Sequence, residues 1–240
     1  MKKLPASTQK TLTSRGAATR QRIVDAAVNL TYAKSVEGTS LDDVCAAAGA
    51  SKSQLYHYFA DKDALVREVI SAQAARVLAA QGTALTQLDS LVALRRWCDC
   101  IRVLHRGAGA HGGCPIGSLA NELANHSEKA RALLVAGFDT WEDRLADAFA
   151  KMQENGVLGR SASPRDLAIG VLCAVQGGLL LAKTLHSEEP LEVALNMAFD
   201  HVASHGRSLP GSSNATESGS AKRRRPRSVL PKTLQNSPKP

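Results

Sequence analysis

The thiol of Cys114 is the side chain with the clearest potential for covalent chemistry, because it stands just before Pro115 at the start of a predicted helix. The positive end of a helix dipole lowers the pKa of a thiol, and His111 lies three residues earlier. Three interpretations are open: an enzymatic nucleophile, a thiol that senses oxidants or electrophiles, and an unreactive cysteine on a pocket wall. No third group that would orient a Cys/His pair can be placed, so we expect no catalytic residue and favour the pocket wall.

Metal and cofactor chemistry are not expected either. Cys98 and Cys100 are two residues apart on a predicted helix, so they point to different sides and make poor joint ligands. The glycines between residues 107 and 113 lack the order of a phosphate-binding loop. The sequence therefore predicts a protein without a metal, a cofactor or an enzymatic activity.

Hydrogen-bonding chemistry is concentrated in a short helix predicted from about Lys52 to Tyr58. Ser51 is a good N-cap for it, and Leu55 and Phe59 lie four residues apart and face inward. The other side chains of the helix are polar and face away from the core. Such a helix fits the major groove of B-DNA, although an ordinary helical hairpin would share these features.

Two preceding helices are predicted to position this polar helix. Ser40 can cap a helix whose residues Leu41, Val44, Cys45 and Ala48 share one face, and Gly49 ends it. An upstream helix runs from about Arg20 to Ala33 and presents an apolar face to the pair. The predicted result is a three-helix head in which two short helices are joined by a tight turn.

The segment 51–62, SKSQLYHYFADK, closely resembles the signature of TetR-family transcriptional regulators. Residues 39–44 and 47–49 are similar to the same signature, and residues 20–27 resemble the family's first helix. Residues 113–124, which begin Gly-Cys-Pro-Ile-Gly, are similar to the sixth helix of one TetR subgroup. The resemblance implies an all-α homodimer of about nine helices that binds a pseudo-palindromic operator in double-stranded DNA and is released from it by a small-molecule effector.

The domains expected from this resemblance are a flexible arm (1–18), a helix-turn-helix head (19–64), a ligand-binding and dimerisation body (65–204) and a disordered basic tail (205–240). Gln54 and His57 are expected to meet base edges, while most other contacts are expected to fix the register on phosphates. Arg20 could reach a phosphate or a minor groove. Ser53 departs from the small glycine often found there in the family, so it could touch phosphate or base. The full set of expected DNA contacts is Arg20, Ser40, Ser51, Lys52, Ser53, Gln54, Tyr56, His57 and Lys62.

The resemblance places the ligand pocket among the fourth to eighth helices. Its candidate residues are Leu94, Trp97, Ile101, Cys114, Ile116, Leu119, Phe138, Trp141 and Gln176. Few of these are polar and no acidic pair points inward, which suggests a neutral or weakly anionic effector. The last two helices, at about residues 165–204, are expected to form the dimer interface, with an entirely intrachain core as the alternative.

Charge is distributed unevenly along the chain. Residues 1–62 carry a net charge of +4, residues 63–204 carry −3, and residues 205–240 carry +7. A basic N-terminal part suits a surface that faces DNA, and the basic run 222–227 could add non-specific phosphate contacts or only solubility.

No run of eighteen apolar residues occurs, so no membrane span is expected, and five cysteines without framework spacing favour a reducing cytoplasm.

Overall fold

The computed structural model describes residues 13–107 and 112–206, which contain ten α-helices and one isolated β-bridge, between Leu158 and Gly206. This confirms the all-α fold class. The helices are α1 (Ser14–Lys34), α2 (Leu41–Ala48), α3 (Lys52–Tyr58), α4 (Lys62–Ala80), α5 (Gly82–Thr86), α6 (Leu91–Gly107), α7 (Pro115–Leu123), α8 (Glu128–Glu154), α9 (Pro164–Leu185) and α10 (Glu189–Ser204).

Two boundaries differ from the sequence-based expectation. The first helix begins at Ser14 rather than near residue 19, because the Thr13 hydroxyl accepts the Gly16 N–H at 3.2 Å and caps it. The sequence Gln81-Gly82-Thr83 predicts a looser stretch after α4, but the structure forms the short helix α5 there, held by the buried side chain of Leu85. His111 and the basic run 222–227 lie outside the described residues.

The head is formed by α1, α2 and α3, whose inner faces meet in one core. Ile23 of α1, Val44 of α2 and Leu55 of α3 are each at most 1% exposed. Gly49 ends α2 with a φ of 58°, a left-handed conformation that glycine adopts without a steric penalty. This turn sets the angle between α2 and α3 and so directs the outer face of α3 to solvent.

Helix α4 runs from the head into the body. The Asp61 carboxylate caps its start by accepting the Ala64 N–H at 2.6 Å, and Val69 and Ile70 are buried along its length. Helix α8 approaches α4 closely at Gly137, where a Cβ would lie 3.1 Å from the Cβ of Ala74. All described residues of head and body lie in one compact unit.

Helices α9 and α10 form a closely packed pair at the end of the body. A Cβ on Gly178 would lie 3.0 Å from the Leu191 Cα and 3.0 Å from the Ala194 Cβ, so a larger residue would require the two helices to shift apart slightly. By length and composition α9 would also be able to cross a bilayer, and 44% of its most apolar window is buried within the chain. A helix that packs on its own chain on one side and on a partner on the other passes the same test.

Candidate functional site

The outer face of α3 is held in place by reciprocal caps at both short helices of the head. The Ser40 hydroxyl accepts the Asp43 N–H at 3.0 Å, and the Asp43 carboxylate accepts the Ser40 N–H at 3.2 Å. This hydrogen bond from the Ser40 N–H is the main reason why the pKa of Asp43 is lowered. The same arrangement joins Ser51 and Gln54 at the start of α3.

Gln54, expected to read a base, is already engaged in one of these caps. Its side-chain Oε1 accepts the Ser51 backbone N–H at 2.9 Å, and its backbone N–H donates to the Ser51 hydroxyl at 3.2 Å. A bidentate contact to adenine requires both the oxygen and the amide nitrogen of the side chain. In this conformation the Gln54 Nε2 remains to donate to a base, while Oε1 must first leave the cap.

Two expected phosphate ligands are held by carboxylates of the head and α4. The Lys52 Nζ lies 2.8 Å from the Asp42 Oδ1, and this hydrogen bond raises the pKa of Lys52. Arg20 pairs with Glu68 of α4 at 2.8 Å, and its guanidinium lies 5.3 Å from the centre of the Phe59 ring. Arg20 thus braces α1 against α4, a structural role that competes with a contact to DNA.

The other expected DNA contacts are polar side chains at the surface of the structure. Ser40, Ser51, Ser53, Tyr56 and His57 are exposed, with Tyr56 at 53%, and Lys62 is half-buried at the start of α4. Leu55 and Phe59, from the same segment, are buried as expected. The structure therefore brings together exposed hydroxyl, amide, imidazole and amine groups around a rigidly held short helix.

Two adjoining cavities occur where α7 meets α1, α4 and α9. The larger, about 740 Å³, is bounded mainly by α1, α7 and α9, and the smaller, about 250 Å³, by α4, α6 and the start of α7. The residues that line both cavities are Tyr32, Gln73, Gly113, Cys114 and Pro115. The start of α7 therefore forms the partition between the two spaces.

Six of the nine expected pocket residues line one or both of these cavities: Ile101, Cys114, Leu119, Phe138, Trp141 and Gln176. Leu94, Trp97 and Ile116 line neither, because each is at most 1% exposed within the core. The Trp97 Nε1–H donates to the Gln81 Oε1 at 2.8 Å, which satisfies its polar atom inside the core. The prediction that these three residues line the pocket is therefore corrected: they pack in the core.

Several residues on the cavity walls were not expected from sequence. Gln73 of α4 and His105 of α6 line the smaller cavity, and Tyr32 of α1 lines both. Gln73 and His105 are polar residues at inward positions of otherwise apolar helical stripes, and this pattern could have indicated that they line a cavity. For Tyr32 no local signal existed, because its neighbour Gly113, whose carbonyl accepts the Tyr32 hydroxyl at 3.3 Å, is remote in sequence.

The environment of Cys114 is opposite to that expected of a reactive thiol. Burial raises its pKa, and this outweighs the hydrogen bonds from the Gly117 N–H, the Gln176 side chain and the Ile116 N–H, which lower it. The side chain is 6% exposed. A thiol sensor requires an accessible thiolate, so the burial and raised pKa of Cys114 argue against that interpretation and favour the pocket wall.

The remaining cysteines differ from one another in environment. Cys45 is buried in the head, and Cys98 is buried in α6 with its pKa raised by burial to about 11. Cys173, whose place in an apolar helix predicts helix packing, is exposed on α9. Among the described residues, no group of three or more His, Cys, Asp or Glu side chains is placed to hold a metal ion.

An exposed apolar surface runs along α9 and α10. Its large side chains are between 41% and 63% exposed: Ile169, Leu180, Leu181, Leu185, Val193 and Met197. Gly170 and Gly177 lie among them, and a Cβ at either position would have no neighbour within 4 Å. We call this set of eight residues the α9–α10 apolar face. A set of large apolar side chains exposed on neighbouring helices is typical of a protein–protein interface.

Two family models match the chain in succession. Residues 23–69 match the model described as bacterial regulatory proteins, tetR family, and residues 90–197 match the C-terminal domain of transcriptional regulators similar to LmrA/YxaF. The first range runs from the middle of α1 into α4, and the second runs from just before α6 into α10.

Individual proteins agree with these matches. The chain is 26% identical over 183 residues to the HTH-type transcriptional repressor DhaR of Mycobacterium sp. (strain GP1), covering 75% of this chain and 90% of DhaR. It is 29% identical over 178 residues to the transcriptional regulator AcuR of Cereibacter sphaeroides, covering 71% and 79%. The crystal structure of a regulatory protein TetR from Rhodobacter sphaeroides superposes with a TM-score of 0.68 at 25% identity, covering 76% of this chain and 98% of that one.

Proposed function

Because this chain belongs to the TetR family of transcriptional regulators, we propose that it is a homodimeric repressor that an effector bound in its body releases from DNA. Members of the family bind DNA and act as dimers with small-molecule effectors, and they are regulators rather than enzymes. The named relative DhaR is itself a repressor. As a transcriptional regulator that binds DNA, the chain is proposed to act in the cytoplasm.

The observation that carries the proposal is the exposed polar face of α3 on a rigid base. Leu55 and Phe59 anchor the segment in the core, while the caps at Ser40 and Ser51 fix the ends of the two short helices. A recognition helix must be positioned accurately because base-edge hydrogen bonds tolerate little displacement. The buried anchors and reciprocal caps supply that accuracy.

Within this proposal the DNA-facing residues divide into two roles. Gln54 and His57 meet base edges in the major groove. Ser40, Ser51, Lys52, Ser53, Tyr56 and Lys62 contact phosphates and set the register, with Arg20 at the margin of the same surface. Lys62 lies at the start of α4, where the helix dipole adds to its attraction for phosphate.

Dimerisation is proposed to occur through the α9–α10 apolar face. Two copies packed about a two-fold axis would bury the exposed leucines of α9, and the glycines of that face would allow the helices to approach closely. The same packing would explain why α9 is so apolar, because its exposed side would be covered by the second copy. The pair of heads would then read half-sites about one helical turn apart.

Effector release is proposed to act through α7. This helix begins at the partition between the two cavities, and near its other end the Glu122 carboxylate accepts hydrogen bonds from the backbone of the head. A ligand that favours a different position of α7 would move the head with it. Such a ligand shifts the equilibrium only as far as its affinities for the two arrangements differ.

The decisive experiment selects bound duplexes from a random DNA pool and measures the affinity of variants for the selected sequence and for its point mutants. We expect Tyr56→Phe and Lys62→Ala to weaken binding to all duplexes alike, because they remove phosphate contacts. Gln54→Ala should instead relax the preference at one or two base pairs. Equal losses on every duplex from all three variants would remove the assignment of base readout to α3.

A further inference from the structure

Three buried polar side chains on the smaller cavity have no hydrogen-bond partner in the described part of the chain. They are Gln73, through Oε1, His105, through both ring nitrogens, and Trp141, through Nε1. Each is at most 9% exposed, and all three line the same cavity of about 250 Å³. A buried polar atom without a partner costs about 1–3 kcal/mol, so three at one cavity need an explanation.

One neighbouring polar residue on this wall has its hydrogen bonds satisfied within the chain. Gln81 lies on the same wall, and both ends of its amide are used, by the Trp97 Nε1–H and by the Val77 carbonyl. The two tryptophans of the chain thus differ in one respect. The indole N–H of Trp97 donates to Gln81 within the core, whereas that of Trp141 has no acceptor among the described residues.

The unpartnered atoms specify a hydrogen-bonding pattern. The Trp141 indole can only donate, the Gln73 Oε1 can only accept, and a neutral imidazole at His105 does one of each. A single hydroxyl group, which donates one hydrogen bond and accepts others, complements this set. A carbonyl group would satisfy the donor but leave the Gln73 oxygen unpaired.

The rest of the wall determines the charge and size of a ligand. Most other side chains there are apolar, including Val77, Ile101 and Leu179. Apart from His105, the only lining residue among those described that carries a basic or a carboxylate side chain is Arg76. Arg76 forms an ion pair with Asp25 of α1, so it is not free to neutralise an anion. An anion buried without a partner is strongly disfavoured. A cavity of about 150 Å³ holds benzene, so this one has room for one substituted ring.

We infer that the smaller cavity is the effector site and that it selects compact, uncharged alcohols, whose hydroxyl group accepts from Trp141 and donates to Gln73 or His105. The inference rests on the proposed function, in which the body holds an effector. It goes further by stating the chemistry of that effector and the residues that recognise it.

The test uses the full-length chain and three probes of similar size: cyclohexanol, cyclohexanone and cyclohexane. Indole N–H resonances are followed by NMR, with Trp141→Phe to assign the two signals. We expect cyclohexanol to shift the Trp141 signal downfield and to leave the Trp97 signal in place as an internal control. We also expect it to bind at least about tenfold more tightly than cyclohexane, with cyclohexanone between them.

Variants at the polar wall separate recognition from folding. Gln73→Met and His105→Leu should each weaken cyclohexanol binding at least about fivefold and leave cyclohexane binding unchanged. Neither should lower the melting temperature greatly, because each replaces an unpartnered polar group with an apolar one. Loss of alcohol binding with retained folding supports a recognition role, which a merely structural role would not produce.

The inference is overturned if no probe shifts the Trp141 signal, or if all three bind equally well in the chain and its variants. Both outcomes are independent of DNA binding. A chain that still binds its selected operator and fails these tests would contradict the inference and leave the proposed function standing. A chain that binds the alcohol through Trp141 and shows no operator preference would contradict the proposed function, and only the recognition of alcohols by the cavity would remain.

Discussion

The carboxylate of Glu122, near the end of α7, accepts a hydrogen bond of 2.7 Å from the backbone N–H of Glu37, in the loop after α1. The same carboxylate accepts the Val36 N–H at 3.0 Å. Glu122 also lines the larger cavity. One side chain thus joins the cavity-bearing body to the loop that leads into the helix-turn-helix pair.

Removing this carboxylate should loosen the connection between body and head. We expect Glu122→Ala to reduce the free energy of unfolding by about 1–3 kcal/mol, because two backbone donors lose a charged acceptor. Amide hydrogen exchange at Val36 and Glu37 should become faster. Glu128→Ala is the matched control, since Glu128 is exposed and bonds to Arg131 on its own helix. Unchanged exchange at Val36 and Glu37 in the Glu122 variant would contradict the proposed connection.

The two roles of Gln54 can be separated by substitution. Gln54→Glu keeps an oxygen that accepts the Ser51 N–H and removes the amide donor, whereas Gln54→Ala removes both. We expect the Glu variant to retain the stability of the head and to lose the native base preference. The Ala variant should also lose about 1 kcal/mol of stability. Thermal unfolding and binding to point-mutated operators measure the two effects, and an unchanged base preference in both variants would show that Gln54 serves only as a cap.

The α9–α10 apolar face should be covered by a second copy. Leu181→Asp places a charge at the centre of that face and should yield monomers, with the Cys173 thiol, exposed on the same helix, reacting faster with maleimides. Val135→Asp, at a similarly exposed position on α8, should remain dimeric. Sedimentation gives the mass and peptide mapping gives the labelling. A Leu181→Asp chain with an unchanged mass would refute this interface.

Cys114 should react slowly at neutral pH. Burial raises its pKa above the ordinary thiol value, so the reactive thiolate is a minor form near pH 7 and increases only at higher pH. Site-resolved alkylation with iodoacetamide should therefore label Cys114 slowly at pH 7 and faster as the pH rises. Rapid labelling at pH 7, together with release from DNA that is abolished in Cys114→Ser, would restore the thiol-sensor interpretation.

The local parts of this structure were accessible from sequence, and the non-local parts were not. The ends of α2 and α3 follow from Ser40, Gly49 and Ser51, because capping and left-handed turns depend on neighbouring residues. Trp97 and Trp141 show the limit of this approach. Helical periodicity directs both inward, but only the packing of α4, α6 and α9 decides that one is enclosed and the other faces a cavity.

The role of Glu122 shows the same limit, since its partners in the head lie 85 and 86 residues earlier in the chain. The exposure of Cys173 could not be predicted either. Its place in an apolar helical stripe is equally consistent with an intrachain core and with a surface that a second copy covers. Sequence periodicity identifies an apolar face but not what packs against it.

The most direct test of the central claim is hydroxyl-radical footprinting of the purified chain on DNA recovered from genome-wide binding. We expect a dimer that protects two half-sites whose centres are about 34–36 Å apart on one face of the duplex. A monomeric chain that protects no defined site and binds every duplex alike, with an affinity set by salt, would contradict it.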